Sequence, residues 1–160
     1  MQGNDKVIAA LQAAINTEAT LAEVYKLNGR ALSKKLGLKT GKELKGLGCQ
    51  CRGYMKKIAK RLELFEVFAE VEAATATVGK TTTETIDELI AMELAAVKQY
   101  TQDVIACWNA KDMDCFHFFQ HMCKWHTVGE NGNVGHLNYL QHERRQLTEF
   151  GEKDYEEVHA

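Results

Sequence analysis

No proline occurs anywhere in the 160 residues. Proline alone both removes a backbone donor and clashes with the preceding turn, so no segment of this chain is barred from being helical. Ala, Leu, Glu, Lys and Gln fill most of it, and these residues lose little freedom in a helix. The sequence predicts an all-α fold. The length suits one domain, residues 1–160, large enough to bury a core.

The apolar residues recur at helical spacing. Over roughly 4–36, Ile8, Leu11, Ile15, Ala22, Tyr25 and Leu32 share one face, and "GLKTG" then breaks the pattern. A second stripe over about 42–72 runs Leu44, Leu47, Cys51, Tyr54, Ile58, Leu62, Phe65. Gly46, Gly48 and Gly53 weaken it, each by about 1 kcal/mol relative to alanine. After the polar "AATATVGKTTTE", Thr83 is the expected cap of a third helix over 84–109, with Ile86, Ile90, Val97, Tyr100 and Val104 inward. The fourth segment starts near 112 and ends at Phe150. The glycine-rich "VGENGN" makes it two helical pieces or one bulged helix. "GEKDYEEVHA" adds a short terminal helix. The first and third connections are short, which implies antiparallel hairpins. The middle one is long enough to cross a four-helix bundle between helices two and three.

Charge excludes some classes. The net charge is −2 and the basic residues are dispersed, so no stripe exists to hold a nucleic acid. Apolar runs are too short and too interrupted by charge to span a bilayer. The opening "MQGNDKVIAALQ" lacks the pattern of a signal peptide, which makes the cytoplasm the expected location. Cys49, Cys51, Cys107, Cys115 and Cys123 are then expected to be free thiols, and their odd number argues against a simple disulfide framework.

Two charges fall on the apolar faces. Glu18 lies between Ile15 and Ala22, and Glu93 between Ile90 and Val97. An unpaired carboxylate in a bundle core costs several kcal/mol or is forced neutral. Two such groups at one depth are either edge-of-stripe residues reaching solvent or the ligands of a shared metal ion. In di-iron carboxylate bundles, two helices each give one Glu and the other two each give a Glu-x-x-His pair. Here the fourth segment offers Asn133-x-x-His136 and the second Cys51-x-x-Tyr54. Half of such a ligand set is present and half replaced.

The whole chain resembles the bacterioferritins, within the ferritin-like superfamily. "MQGNDKVIAALQ" is similar to their opening, with its glycine at position three, and "TEATLAEVYKLNGR" to their first-helix motif, with Glu18 and, seven residues on, Tyr25. "KLGLK" and "AKRLELFE" resemble the ends of the first two helices, and "TIDELIAMEL" the third-helix motif that carries Glu93. "GHLNYLQHERRQLTEFG" resembles the run into the last long helix and carries His136. The resemblance implies a ferritin-like bundle, a homo-oligomer of up to 24 subunits forming a cage, and a role in iron storage. It also shows what is missing. The family's second helix carries Glu, Met and His within four residues, for iron and haem, where this chain has "CRGY". Haem is therefore not expected, and ferroxidase activity is expected to be weak or absent.

Surviving donors still allow chemistry. Glu18, Glu93 and His136 could hold one ion, and a Cys51 thiolate would favour zinc or ferrous iron. Tyr54 could ligate as a phenolate or hydrogen-bond a carboxylate. Cys51 and Tyr54 read equally well as core filling. Glu130 becomes a ligand if "VGENGN" folds inward, and Tyr25 is the expected electron donor in any oxidation. The competing expectation is an inactive structural subunit, co-assembling with an active bacterioferritin subunit. In that case Tyr54, Arg52 or His136 would satisfy the two glutamates. A mononuclear metal-binding bundle is a further alternative. In "CFHFFQHMCKWH", His117 and His121 share a face; the resemblance implies a place near a metal-entry channel, and the alternative is a surface or interface helix.

Overall fold

A computed structural model describes residues 4–130 and 132–160. The glycine at position three lies outside the described residues, as does Asn131. The helices are α1 (Asp5–Lys35), α2 (Lys39–Glu63), α3 (Thr82–Asn109), α4 (Met113–His126), α5 (His136–Phe150) and α6 (Glu152–His159). The first two form one antiparallel hairpin. The second hairpin pairs α3 with α4 and α5 together, which make up the fourth rod of the bundle. Among the described residues, no helix is long and apolar enough to cross a membrane.

Glycine sets the spacing inside the first hairpin. A Cβ on Gly41 would lie 2.5 Å from the Gly29 carbonyl oxygen, and one on Gly48 would lie 3.0 Å from Tyr25 Cβ. The two helices therefore touch backbone to backbone on the face that carries Tyr25. The weakening expected from Gly48 is compensated by this approach. Gly46 and Gly53 face open space.

The second helix ends at Glu63 rather than near residue 72. Glu66 takes a positive φ of 60°, and Val67 N–H returns to the Leu62 carbonyl, closing the helix. Residues 64–81 then form an extended crossover laid along α1. Glu70 N–H donates to Gln12 Oε1 (3.2 Å), Glu72 N–H to Asn16 Oδ1 (2.9 Å) and Ala74 N–H to Thr20 Oγ1 (3.0 Å). Four helical residues advance about 6 Å and two extended residues about 6.6 Å, so alternate amides meet successive turns. Buried Asn28 completes the seam, donating to the Thr77 carbonyl and accepting from Gly79 N–H.

The third helix is capped two residues before the expected position, by Thr81, and begins at Thr82. Thr81 Oγ1 accepts from Glu84 N–H (3.1 Å), whereas Thr83 N–H is inside the helix and donates to Glu152 Oε1 of α6 (2.8 Å). Glu156 accepts from Thr82 Oγ1 (2.8 Å). The terminal helix thus places two carboxylates on the positive end of α3. Tyr155, on the buried face of α6, bonds Thr40 of α2 and Glu143 of α5.

The fourth rod breaks at residues 127–135. Gly129 and Gly132 hold φ values of 85° and 82°. A Cβ on Gly135 would sit 2.1 Å from the Thr127 carbonyl oxygen, so the loop closes tightly on itself. Among the described residues, one backbone hydrogen bond crosses the break, from Asn138 N–H to the Thr127 carbonyl (3.2 Å). It spans eleven residues where a regular helix spans four. Seven residues are therefore looped out and the rod resumes beyond them.

Candidate metal centre

Side chains from all four rods meet at mid-bundle. The first helix supplies Glu18 and Tyr25, the second Gln50, Cys51 and Tyr54, and the third Glu93 and Tyr100. The last residue of α4, His126, and the first of α5, His136, come from either side of the break. Glu18, Glu93, His126 and His136 are all fully buried.

The polar groups answer one another. His126 reaches both glutamates, with Nδ1 2.6 Å from Glu93 Oε2 and Nε2 2.5 Å from Glu18 Oε1. His136 Nδ1 lies 2.7 Å from Glu93 Oε1 and its Nε2 lies 3.1 Å from Gln50 Oε1. Tyr25 donates its hydroxyl to Glu93 Oε1 (2.5 Å), and Tyr100 to Glu18 Oε1 (2.8 Å). Glu18 Oε2 is buried with no hydrogen-bond partner among the described residues. Among the described residues, Glu93, His126 and His136 form the group whose ligand atoms converge, all within 4.8 Å of one another.

Burial and pairing compete in setting the charges. Burial pushes the Glu93 carboxyl up, but the His126 charge and the hydrogen bonds from both histidines outweigh it and hold the pKa at about 2. Burial pulls His126 down, while Glu18 and Glu93 raise it to about 10. Without a metal, His126 is thus an imidazolium clamped between two carboxylates. Burial first, then the charges of Glu18 and Glu93, push the Cys51 thiol well above its usual range, so it stays protonated. Burial and Glu93 raise the Tyr25 phenol in the same way.

The remaining expected residues lie around this cluster. Cys51 is fully buried beside it. Tyr54 is half-buried over the histidines, with ring centroids 5.4 Å from His126 and 6.0 Å from His136, and its hydroxyl faces Gln50 Oε1 at 3.4 Å. It bonds neither glutamate. Arg52 is exposed and donates to Cys49 Sγ, so it does not answer them either. Glu130 turns outward and takes Trp125 Nε1 (2.9 Å), His121 Nδ1 (3.1 Å) and Lys124 Nζ (3.4 Å), pinning the loop to the outer face of α4. His121 is bound there and His117 faces Gln120, both exposed and apart from the core cluster.

Asn133 is not the residue that shares a turn with His136. It lies exposed in the looped-out segment. With seven residues excised, the residue effectively three before His136 is His126. The signal for His126 was its place on the inward stripe Cys115, Phe119, Met122, His126, spaced four, three and four. The glycine-rich break hides that His136 continues the same face.

The sequence profile of the ferritin-like domain family matches residues 8–131. A comparison with curated protein sequences returns no match. Two solved structures are similar over the full chain. One is the Rhodobacter capsulatus bacterioferritin, described with a metal-free dinuclear site and haem iron: 22% identical, TM-score 0.90, covering 100% of this chain and 96% of that one. The other is a mycobacterial bacterioferritin: 16% identical, TM-score 0.89, with the same coverage.

Proposed function

The chain belongs to the ferritin-like domain family, and from that premise we propose that it is a bacterioferritin-like subunit that binds and stores iron within a cytoplasmic homo-oligomeric cage. Its bundle centre lacks the donors for two-metal oxidation. The observation that carries this is the donor set. The di-iron pattern needs four carboxylates and two histidines, and the core cluster holds two of each, with Cys51 and Tyr54 on the second helix. Nitrogen and carboxylate donors suit ferrous iron or zinc. The buried Glu18 Oε2, without a hydrogen-bond partner among the described residues, is an orphaned polar atom beside the site. Any residual oxidation would draw an electron through Tyr25, whose hydroxyl bonds Glu93.

Size measurement combined with ferrous loading tests this reading. The expected result is a large assembly that retains added iron and oxidises it no faster than the uncatalysed reaction. A monomer that retains no iron would overturn it, and a fast phase consuming two ferrous ions per subunit would overturn the claim of a disabled centre.

A second reading is favoured by the His126 ring, which bridges Glu18 and Glu93 without any metal. In it, the chain is an inactive structural subunit that co-assembles with an active bacterioferritin. Metal analysis of the purified protein separates the two, since a structural subunit carries no stoichiometric metal.

A further inference from the structure

Both core histidines turn the same nitrogen toward the same carboxylate. His126 Nδ1 and His136 Nδ1 face the two oxygens of Glu93 at 2.6 and 2.7 Å. The opposite nitrogen of each ring is already occupied, by Glu18 Oε1 for His126 and by Gln50 Oε1 for His136. Each ring thus presents one nitrogen to Glu93 while its other nitrogen is held by a separate oxygen. The ligand atoms of Glu93, His126 and His136 all lie within 4.8 Å of one another in the buried core, which is where a single cation would meet all three.

We propose that this cluster is a mononuclear site in which Glu93, His126 and His136 ligate one divalent cation of the ferrous or zinc class. Glu18 and Gln50 are positioning residues that act through the histidine rings. The inference rests on the metal-binding reading above and sharpens it. Two histidines and one carboxylate with further positions open is a recurring donor set for ferrous iron and for zinc. Ligating histidines almost always give their second nitrogen to a carboxylate or carbonyl, which fixes the tautomer and the ring plane. Both rings here have that contact, and Glu93 and Glu18 each accept a tyrosine hydroxyl in turn.

The fold explains why these two histidines act together. The break loops out seven residues, so His126 and His136 are effectively three apart on one rod. That is the spacing at which two side chains grip one ion from one side. It also explains why there is one ion. Glu18 Oε1 already takes His126 and Tyr100, which leaves Oε2 as a single donor atom, too few for a second ion. Tyr54 directs its hydroxyl at Gln50. With neutral imidazoles, a single divalent charge balances Glu18 and Glu93, and a second ion would leave net charge in a dry core.

Titration of the full-length protein with cobalt(II), followed by its visible absorption, tests this. One cobalt per chain is expected, with no sulfur-to-metal band in the near ultraviolet and no change in Cys51→Ala. His126→Gln and His136→Gln should each weaken binding more than 100-fold. Glu18→Gln should weaken it 10- to 100-fold while keeping one ion per chain and the same spectrum. Helical circular dichroism confirms that each variant is folded. Two ions per chain, no binding by the folded protein, or a near-ultraviolet band lost in Cys51→Ala would each overturn the proposal. So would a changed spectrum in Glu18→Gln, which would make Glu18 a ligand. Iron retention is a separate readout. A chain that takes one cobalt but retains no iron refutes the storage role and leaves the site standing, while one that stores iron yet takes two cobalts does the reverse.

Discussion

His126 and His136 stand ten positions apart in the chain, yet their ring centroids lie 4.7 Å apart, edge to face. On an unbroken helix ten residues advance about 15 Å. The loop between them closes that distance, and Asn138 N–H bonds the Thr127 carbonyl across its neck. Removing residues 128–134 is therefore expected to join α4 and α5 into one continuous helix with the two histidines three apart. Helical content should be kept, and cobalt affinity should change by less than about tenfold. A deletion that folds but no longer binds would show that the loop itself shapes the cluster.

Two glycine substitutions should move stability in opposite directions. A Cβ on Gly135 would lie 2.1 Å from the Thr127 carbonyl oxygen, a backbone atom that cannot yield cheaply. Gly135→Ala should cost about 1–3 kcal/mol, as overpacking does, and should weaken metal binding by displacing His136. Gly46 sits mid-helix in α2 with nothing within 4 Å of its Cβ position. Gly46→Ala should gain about 0.5–1 kcal/mol. Urea denaturation of both variants checks the pair of signs.

Without metal, stability should depend on pH through the clamped imidazolium. Burial works against it, but Glu18 and Glu93 raise His126 from 6.5 to about 10. Its contribution is fully present below the ordinary value and is lost as pH rises from 6.5 through 10, by at most about 1.4 kcal/mol per unit. Glu93 is shifted the other way. Burial opposes the shift, but His126 and His136 bring the carboxyl from 4.5 down to about 2. That contribution is present above 4.5 and is lost as pH falls toward 2. Stability in the presence of a chelator should therefore peak between about pH 4.5 and 6.5. His126→Gln should flatten the alkaline limb measured by urea denaturation, and an identical limb in both proteins would sink the account.

The bundle was legible because its signals are local. The absence of proline, the stripes spaced three and four, and the short and long connections lead to the fold without reference to contacts. Glu18 and Glu93 were legible for the same reason, since each lies mid-stripe and is buried where the periodicity places it. His126 was not, because its pairing with His136 depends on how many residues the loop excises, and that is set by the tight packing of Gly129 and Gly135. The end of α2 was hidden for a related reason. The residues after Glu63 keep helical composition, but their amides are claimed by polar side chains of α1.

That seam carries the last prediction. Gln12, Asn16 and Thr20 are spaced four apart and each holds one amide of the crossover from the solvent side. Asn28, 1% exposed, holds two backbone groups at once, the Thr77 carbonyl and Gly79 N–H. Asn16→Ala removes one solvent-accessible bond and should cost about 0.5–1 kcal/mol. Asn28→Ala leaves both backbone groups short of a partner and should cost about 2–3 kcal/mol. Because the crossover touches α1 and not the metal cluster, the loss should be local. Amide exchange should accelerate over residues 68–79 in Asn28→Ala while α3 and α4 keep their protection. Uniform acceleration across all helices would mean instead that the crossover folds as one unit with the bundle.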